Sequence, residues 1–391
     1  MDKINLVKDT IDEQDIDSLI EWLKGYPRLT KGKLNLEFEK KFAKWMGREY
    51  SVFCNSGSSA NLLMLSALNQ HSKYNIDSVV IPSVAWATEL SPVMELGLKP
   101  ILCDSNKRDL SVDLEHLEKL FKKENPSVLI LVSVLGLCPD MDKIVSLCDK
   151  YDVILLEDTC ESLGSEYRGK KLGTFGKMSS FSTYFGHHIS TIEGGVITTD
   201  DKELYNILVS IRSHGWGRDW DIQTQFDAQQ DWDVSEFDSL YTFYYSGYNL
   251  RATEIQAFLG INQIDKIHKW GLQREDNLYK YQDLIQNDYW KISPDLNDFN
   301  SNFAYPIIHP NREDIVEKLI DGGVETRPMI CGSMGTQPFY VKKYGRLELP
   351  NVTEIDKYGF YVPNHPKLTY EEIEYICDII KEGINEKKIY R

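Results

Sequence analysis

Short apolar-rich runs alternate with amphipathic stretches through most of the chain. Runs at 78–82, 100–103, 128–134, 153–156, 179–184 and 196–199 have the length and the Val/Ile content of buried strands. A helical stretch at 61–68 precedes them, and others at 114–123 and 141–150 lie between them. Strands buried on both faces and separated by helices predict an α/β fold with a mostly parallel central sheet. Upstream, Leu34, Phe38, Phe42 and Trp45 share one face of a helix. Leu19, Ile20, Trp22 and Leu23 mark an earlier helix that Tyr26-Pro27 ends. Downstream, a charged helix at 272–286 leads into 287–301, a stretch rich in Asn, Asp and Pro. The last helix, at 370–386, is opened by Thr369, with Glu372 three residues on as its capping partner. The expected organisation is an arm and helix over 1–27, a large domain over 28–270 and a smaller α+β domain over 271–391.

Composition narrows the function classes. The 391 residues are 42% hydrophobic and 27% charged, as in an ordinary globular protein. With 44 Lys and Arg against 60 Asp and Glu, the net charge is −16, and there is no long basic run. Nucleic acid and anionic membrane are therefore not expected partners, since both require a concentrated positive face. A phosphorylated small molecule is not excluded, because backbone amides and a few Arg can hold phosphate in an acidic protein. The seven cysteines, at 54, 103, 138, 148, 160, 331 and 377, have no Cys-x-x-Cys spacing. They read as reduced thiols without a metal. Met1-Asp2-Lys3-Ile4-Asn5 lacks an apolar signal core, so a cytoplasmic protein is expected.

Four segments carry candidate chemistry. Asn55-Ser56-Gly57-Ser58-Ser59 turns into a helix whose free N–H groups would cradle phosphate, making Gly57 and Ser58 ligand candidates. Asp158 follows an apolar strand, at the carboxyl end where open α/β sheets bind ligands, and Glu161 lies three residues on. Trp86 also follows a strand, and is either core or part of a cavity wall. The fourth is the run from Ser182 through His187, His188 and Glu193 to Gly194-Gly195. An imidazole has an ordinary pKa of ~6.5, so either histidine could carry protons.

This last run resembles the cofactor-attachment segment of the sugar aminotransferases of the DegT/DnrJ/EryC/StrS type. These enzymes have the aspartate-aminotransferase-like fold, fold type I of the pyridoxal phosphate (PLP) enzymes. Their PLP-bearing lysine lies six residues before the Glu of Glu-Gly-Gly, and six before Glu193 is His187. Histidine in the place of lysine resembles the 3-dehydratase branch of the family. The resemblance implies catalytic roles for His187, Asp158 and Glu161. It implies PLP contacts from Gly57, Ser58, Trp86, Asp158, Glu161 and Ser182. The segment Gly247-Tyr248-Asn249-Leu250-Arg251-Ala252-Thr253-Glu254 is similar to one in which Asn reaches the phosphate of a neighbouring subunit, so Asn249 implies a homodimer with shared active sites. Arg327, in Glu325-Thr326-Arg327-Pro328, His214 and Arg251 are the expected substrate-binding groups. Ser333 and Pro363 depart from the branch's pattern. The implied reaction removes the C-3 hydroxyl of a nucleotide-linked, GDP by resemblance, 4-keto-6-deoxyhexose or heptose. L-glutamate converts PLP to pyridoxamine phosphate, and the products are a 4-keto-3,6-dideoxy sugar, ammonia and 2-oxoglutarate. The alternative is a 4-aminotransferase of the perosamine-synthase kind, which the missing lysine opposes.

Overall fold

Apolar runs become strands here because helices cover both of their faces. The computed structural model describes residues 3–285, 287–291, 294–295 and 297–385. Helix α1 (Glu13–Leu23) is followed by α2 (Lys33–Met46), which buries Phe38 and Phe42 completely. The strands are β1 (Tyr50–Cys54), β2 (Ser78–Pro82), β3 (Lys99–Cys103), β4 (Val128–Val132) and β5 (Ile154–Asp158). A small hairpin, β6 (Glu166–Tyr167) and β7 (Lys170–Lys171), precedes β8 (Met178–Ser182) and β9 (Gly195–Thr199). The sheet order is β1-β9-β8-β5-β4-β2-β3, and only β9 runs against its neighbours. A mostly parallel sheet is thus what the alternation foretold.

Three expected boundaries shift, each for a local reason. The run at 128–134 leaves the sheet at Val132, because the chain turns at Val134–Gly136 with Leu135 at φ 53°. A side chain at Gly136 would stand 2.6 Å from the Asn302 backbone, so this turn is packed tightly against the later chain. The run at 179–184 ends at Ser182, beyond which the chain doubles back. The charged helix begins early, at Ile267, and runs to Leu284, so it passes unbroken through the expected domain boundary. Its expected end at 286, and residue 386 of the last helix (Tyr370–Asn385), lie outside the described residues.

A second sheet, of order β10-β12-β11, is built from β10 (Ala304–Ile308), β11 (Arg327–Pro328) and β12 (Gly359–Pro363). The N-terminal arm joins this part of the fold. Ile4 bridges to Val324, and the Leu6 N–H donates to the Glu325 carboxylate at 2.9 Å. All seven cysteines are free thiols, and no described helix is long and apolar enough to cross a membrane.

One buried ion pair fastens α2 to the edge strand that leads into the site. Arg212 has no exposed surface, pairs with Glu39, and donates to the Phe53 carbonyl at 2.6 Å. Glu39 also accepts the Phe53 N–H at 2.8 Å. Removing one partner of a buried pair leaves the other charge desolvated, at a cost of about 3 kcal/mol. Glu39→Ala is therefore expected to lower the unfolding free energy by about 3 kcal/mol in urea titration. A loss under about 1 kcal/mol would mean that Asp219, 3.4 Å from Arg212, already holds the guanidinium.

Candidate active site

The carboxyl ends of β5 and β8 and the N-termini of two helices, α3 (Gly57–Gln70) and α4 (Ala87–Glu95), converge on a cavity of about 810 Å³. Gly57, Ser58, Trp86, Asp158, Glu161, Ser182, His187 and Arg327 all line it. This is the position open α/β sheets use for ligands. Among the described residues lining it there is no lysine. Lys177 sits at the other end of β8, paired with Asp201 at 3.0 Å, and Lys170 and Lys171 form β7.

The helix entrance is shaped for an anion. Ser56 caps α3, taking the Ser59 N–H on its hydroxyl at 3.1 Å and the Ala60 N–H on its carbonyl at 3.0 Å. The N–H groups of Gly57 and Ser58 are left for a ligand. Gly57 has to be glycine, because a Cβ would come within 2.9 Å of Ser182 Cβ and 3.0 Å of Cys160 Sγ. That approach brings the Ser182 hydroxyl alongside the helix entrance.

Asp158 is 2% exposed and held by donors from two directions. Asn61, from α3, donates to Oδ2 at 2.6 Å, and the Cys160 N–H donates to Oδ1 at 2.9 Å. Asn61 is fixed in turn by the Ser180 hydroxyl at 2.6 Å. Trp86 is 56% exposed, which excludes the core reading; its indole is part of the cavity wall.

The segment after β8 is a closed loop. Thr183 N–H donates to Gly194 O, Phe185 N–H to Ile192 O, and His187 N–H to Tyr184 O, at 2.9, 3.1 and 2.9 Å. The two histidines diverge. His188 is 3% exposed, and its Nε2 lies 2.6 Å from the Ser301 carbonyl, whereas His187 faces the cavity. The Phe303 ring, 5.2 Å from that of His187, backs it. His187 Nδ1 is buried without a partner.

Burial sets the protonation states. Desolvation lowers the His187 pKa to about 4, against opposition from Asp158 and the Cys160 backbone, with the buried Arg274 lowering it further. The imidazole is therefore neutral at neutral pH. Desolvation, with Asp158 adding to it, raises the Glu161 pKa to about 7 despite the hydrogen bond its Oε2 accepts from the Leu135 N–H at 2.7 Å. The positive-φ turn at Leu135 aims that N–H at the acid.

Three expected residues stand apart from this cavity. Asn249, Arg251 and His214 form their own cluster, in which Arg251 Nε donates to Asn249 Oδ1 at 3.1 Å and an Arg251 terminal nitrogen lies 3.5 Å from His214 Nε2. Asn249 is exposed. Sequence reasoning also passed over Glu89, Arg274 and the arm residues Asn5, Leu6 and Val7. Glu89 and the arm residues line the cavity. Arg274 is 2% exposed and donates to the carbonyls of Phe303 and Asn364 at 3.1 and 2.7 Å. Arg327, at the cavity mouth, pairs with Glu325.

These residues fit PLP. A helix entrance and a serine suit its phosphate, the exposed indole suits the face of its ring, and a buried carboxylate suits the ring nitrogen. The partnerless His187 Nδ1 fits a cavity meant to be filled.

Residues 9–381 match the DegT/DnrJ/EryC1/StrS aminotransferase family. The chain is similar to GDP-4-keto-6-deoxy-D-mannose 3-dehydratase of Yersinia pseudotuberculosis, at 34% identity over 96% of this chain and 98% of that one. A crystal structure of a histidine-to-asparagine variant of GDP-4-keto-6-deoxymannose-3-dehydratase with bound GDP-perosamine superposes with TM-score 0.87 at 30% identity, over 96% of this chain and 100% of that one. A second structure of that enzyme, with a trapped PLP–glutamate geminal diamine, gives TM-score 0.86 at 30% identity and the same coverage. Similarity that runs the length of the chain, over a sheet whose strand ends build the cofactor cavity, makes this protein a member of the DegT/DnrJ/EryC1/StrS aminotransferase family.

Proposed function

We propose that the protein is a PLP- and glutamate-dependent dehydratase that removes the C-3 hydroxyl of a GDP-linked 4-keto-6-deoxy sugar. GDP-4-keto-6-deoxymannose is the compound its relatives are named for. The observation that carries this reading is an imidazole, His187, at the position of the family's lysine, in a cavity that no described lysine lines. The same observation disfavours the 4-aminotransferase alternative, which needs that amine.

Bound PLP would supply the carbonyl that accepts an amino group from glutamate and the ring that withdraws electrons from the reacting carbons. Gly57, Ser58 and Ser182 hold the phosphate in this reading, Trp86 covers the ring, and Asp158 faces the ring nitrogen. His187 moves the proton. Neutral at rest, its ring is free to accept one; once protonated, a pKa that burial holds near about 4 makes it a strong donor to the departing C-3 hydroxyl. Glu161, where aminotransferases carry Gln facing the ring hydroxyl, can donate in the same way when protonated. Arg327 guards the mouth as an anion ligand. Asn249 lies outside its own chain's cavity, as a residue serving the phosphate site of a second copy would. The helix Ile267–Leu284 spans the proposed joint between a large domain ending at 270 and a small one beginning at 271.

Replacing His187 by Asn removes the proton carrier and keeps a polar side chain of similar size. Product analysis by mass spectrometry with glutamate, PLP and the GDP-linked keto sugar is expected to show dehydration slowed by about 10²–10⁴. His188→Asn should retain most of it. If His187→Asn keeps the parental rate, or His188→Asn alone abolishes the reaction, the proton carrier is not residue 187.

The raised pKa of Glu161 has a consequence for stability. The folded form holds its proton up to about 7, against 4.5 for an ordinary Glu, so the folded state binds more protons across that window. Stability therefore falls as pH rises through it, by about 3 kcal/mol in all. Glu161→Gln cannot ionise. In cofactor-free protein its unfolding free energy is expected to match the parent below pH 4.5 and to exceed it progressively up to about 7. A difference between the two proteins that does not change with pH would contradict this.

A further inference from the structure

Glu89 is an acid that the reading of the site leaves without a task. It lies in the first turn of α4, is 4% exposed and lines the cavity. Its carboxyl faces that of Asp158 in the cavity wall, and its Oε2 is buried without a hydrogen-bond partner. A contact between two carboxyls requires one of them to bring the proton.

The neighbours decide which. Asp158 already accepts from Asn61 on Oδ2 and from the Cys160 N–H on Oδ1, so both of its oxygens serve as acceptors. Around Glu89 the facing titratable groups are Asp158, Glu161 and the thiols of Cys160 and Cys331, and no cation is among the groups acting on it. Burial first, and then Asp158 and Glu161, push the Glu89 pKa well above the usual carboxyl range, and only its own backbone opposes them.

We propose that Glu89 is a positioning residue: a carboxylic acid kept neutral, which donates its hydrogen bond to Asp158 and so fixes the direction and the charge with which Asp158 meets the cofactor ring. The proposal rests on the assignment of Asp158 to the ring nitrogen. The pair then presents one negative charge to the ring. Held by Glu89, Asn61 and the Cys160 N–H, the Asp158 carboxylate would meet the ring nitrogen in one fixed orientation. A helix-start glutamate usually faces solvent and the helix dipole; here α4 turns it inward.

Two measurements test this. Infrared difference spectra of cofactor-free protein, parent minus Glu89→Gln, taken well above the ordinary carboxyl range, are expected to contain the carbonyl stretch of a protonated acid. Its absence would overturn the proposal, whether or not PLP binds. PLP titration followed by absorbance is the second. Glu89→Gln keeps a donor toward Asp158 and is expected to bind PLP within about threefold of the parent with the same absorption maximum. Glu89→Leu loses the donor and is expected to bind about tenfold or more weakly, with a shifted maximum. Equal weakening in both variants would assign the effect to charge, and no change in Glu89→Leu would assign Glu89 to packing alone; either overturns the proposal. If Glu89→Leu does not fold, the infrared band and the Gln variant still decide. Failure of the parent itself to bind PLP would sink the cofactor reading and leave the infrared result standing on its own.

Discussion

A carboxylate with 2% of its surface exposed cannot be left to itself, and much of this site is arranged around that constraint at Asp158. Its donors come from α3 and from the turn after β5. The Asn61 that serves it is locked by Ser180 of β8, so three elements meet at one side chain. Gly57 allows α3 to approach Ser182 closely, which sets the helix entrance beside the same strand ends. The anion cradle and the buried acid are thus positioned by one packing arrangement.

The burial that makes Asp158 demanding also sets the protonation of its neighbours. Desolvation lowers the His187 pKa and raises that of Glu161, so both tend toward neutral forms. A neutral imidazole accepts a proton and a neutral acid donates one. The lysine of an aminotransferase would instead tether the cofactor and recapture it. Exchanging amine for imidazole keeps the proton transfer and gives up the tether, which is the physical basis for reading the chemistry as dehydration.

Much of this was legible in sequence because the informative residues sit where local rules are strong. The runs at 78–82 and 100–103 correspond to β2 and β3, since parallel strands are apolar on both faces. Gly57, Asp158 and His187 stand at a helix start, a strand end and a loop, the places such folds use for ligands. Strand β1 escaped notice because Tyr50 and Ser51 open it and only three apolar residues follow. Glu89 escaped because acids in a first helical turn are ordinary. Arg274 escaped because its partners are backbone carbonyls remote in sequence, at Phe303 and Asn364. The cluster of Asn249, Arg251 and His214 was read as part of the site, yet within one chain it lies outside the cavity.

The central claim is that the cofactor sits in this cavity without a covalent bond to the chain. Borohydride reduction of the PLP-loaded protein, followed by peptide mass spectrometry, tests it directly. The account predicts that PLP is retained before reduction and that no peptide carries a phosphopyridoxyl group afterwards. A stoichiometric reduced adduct on any lysine would contradict it.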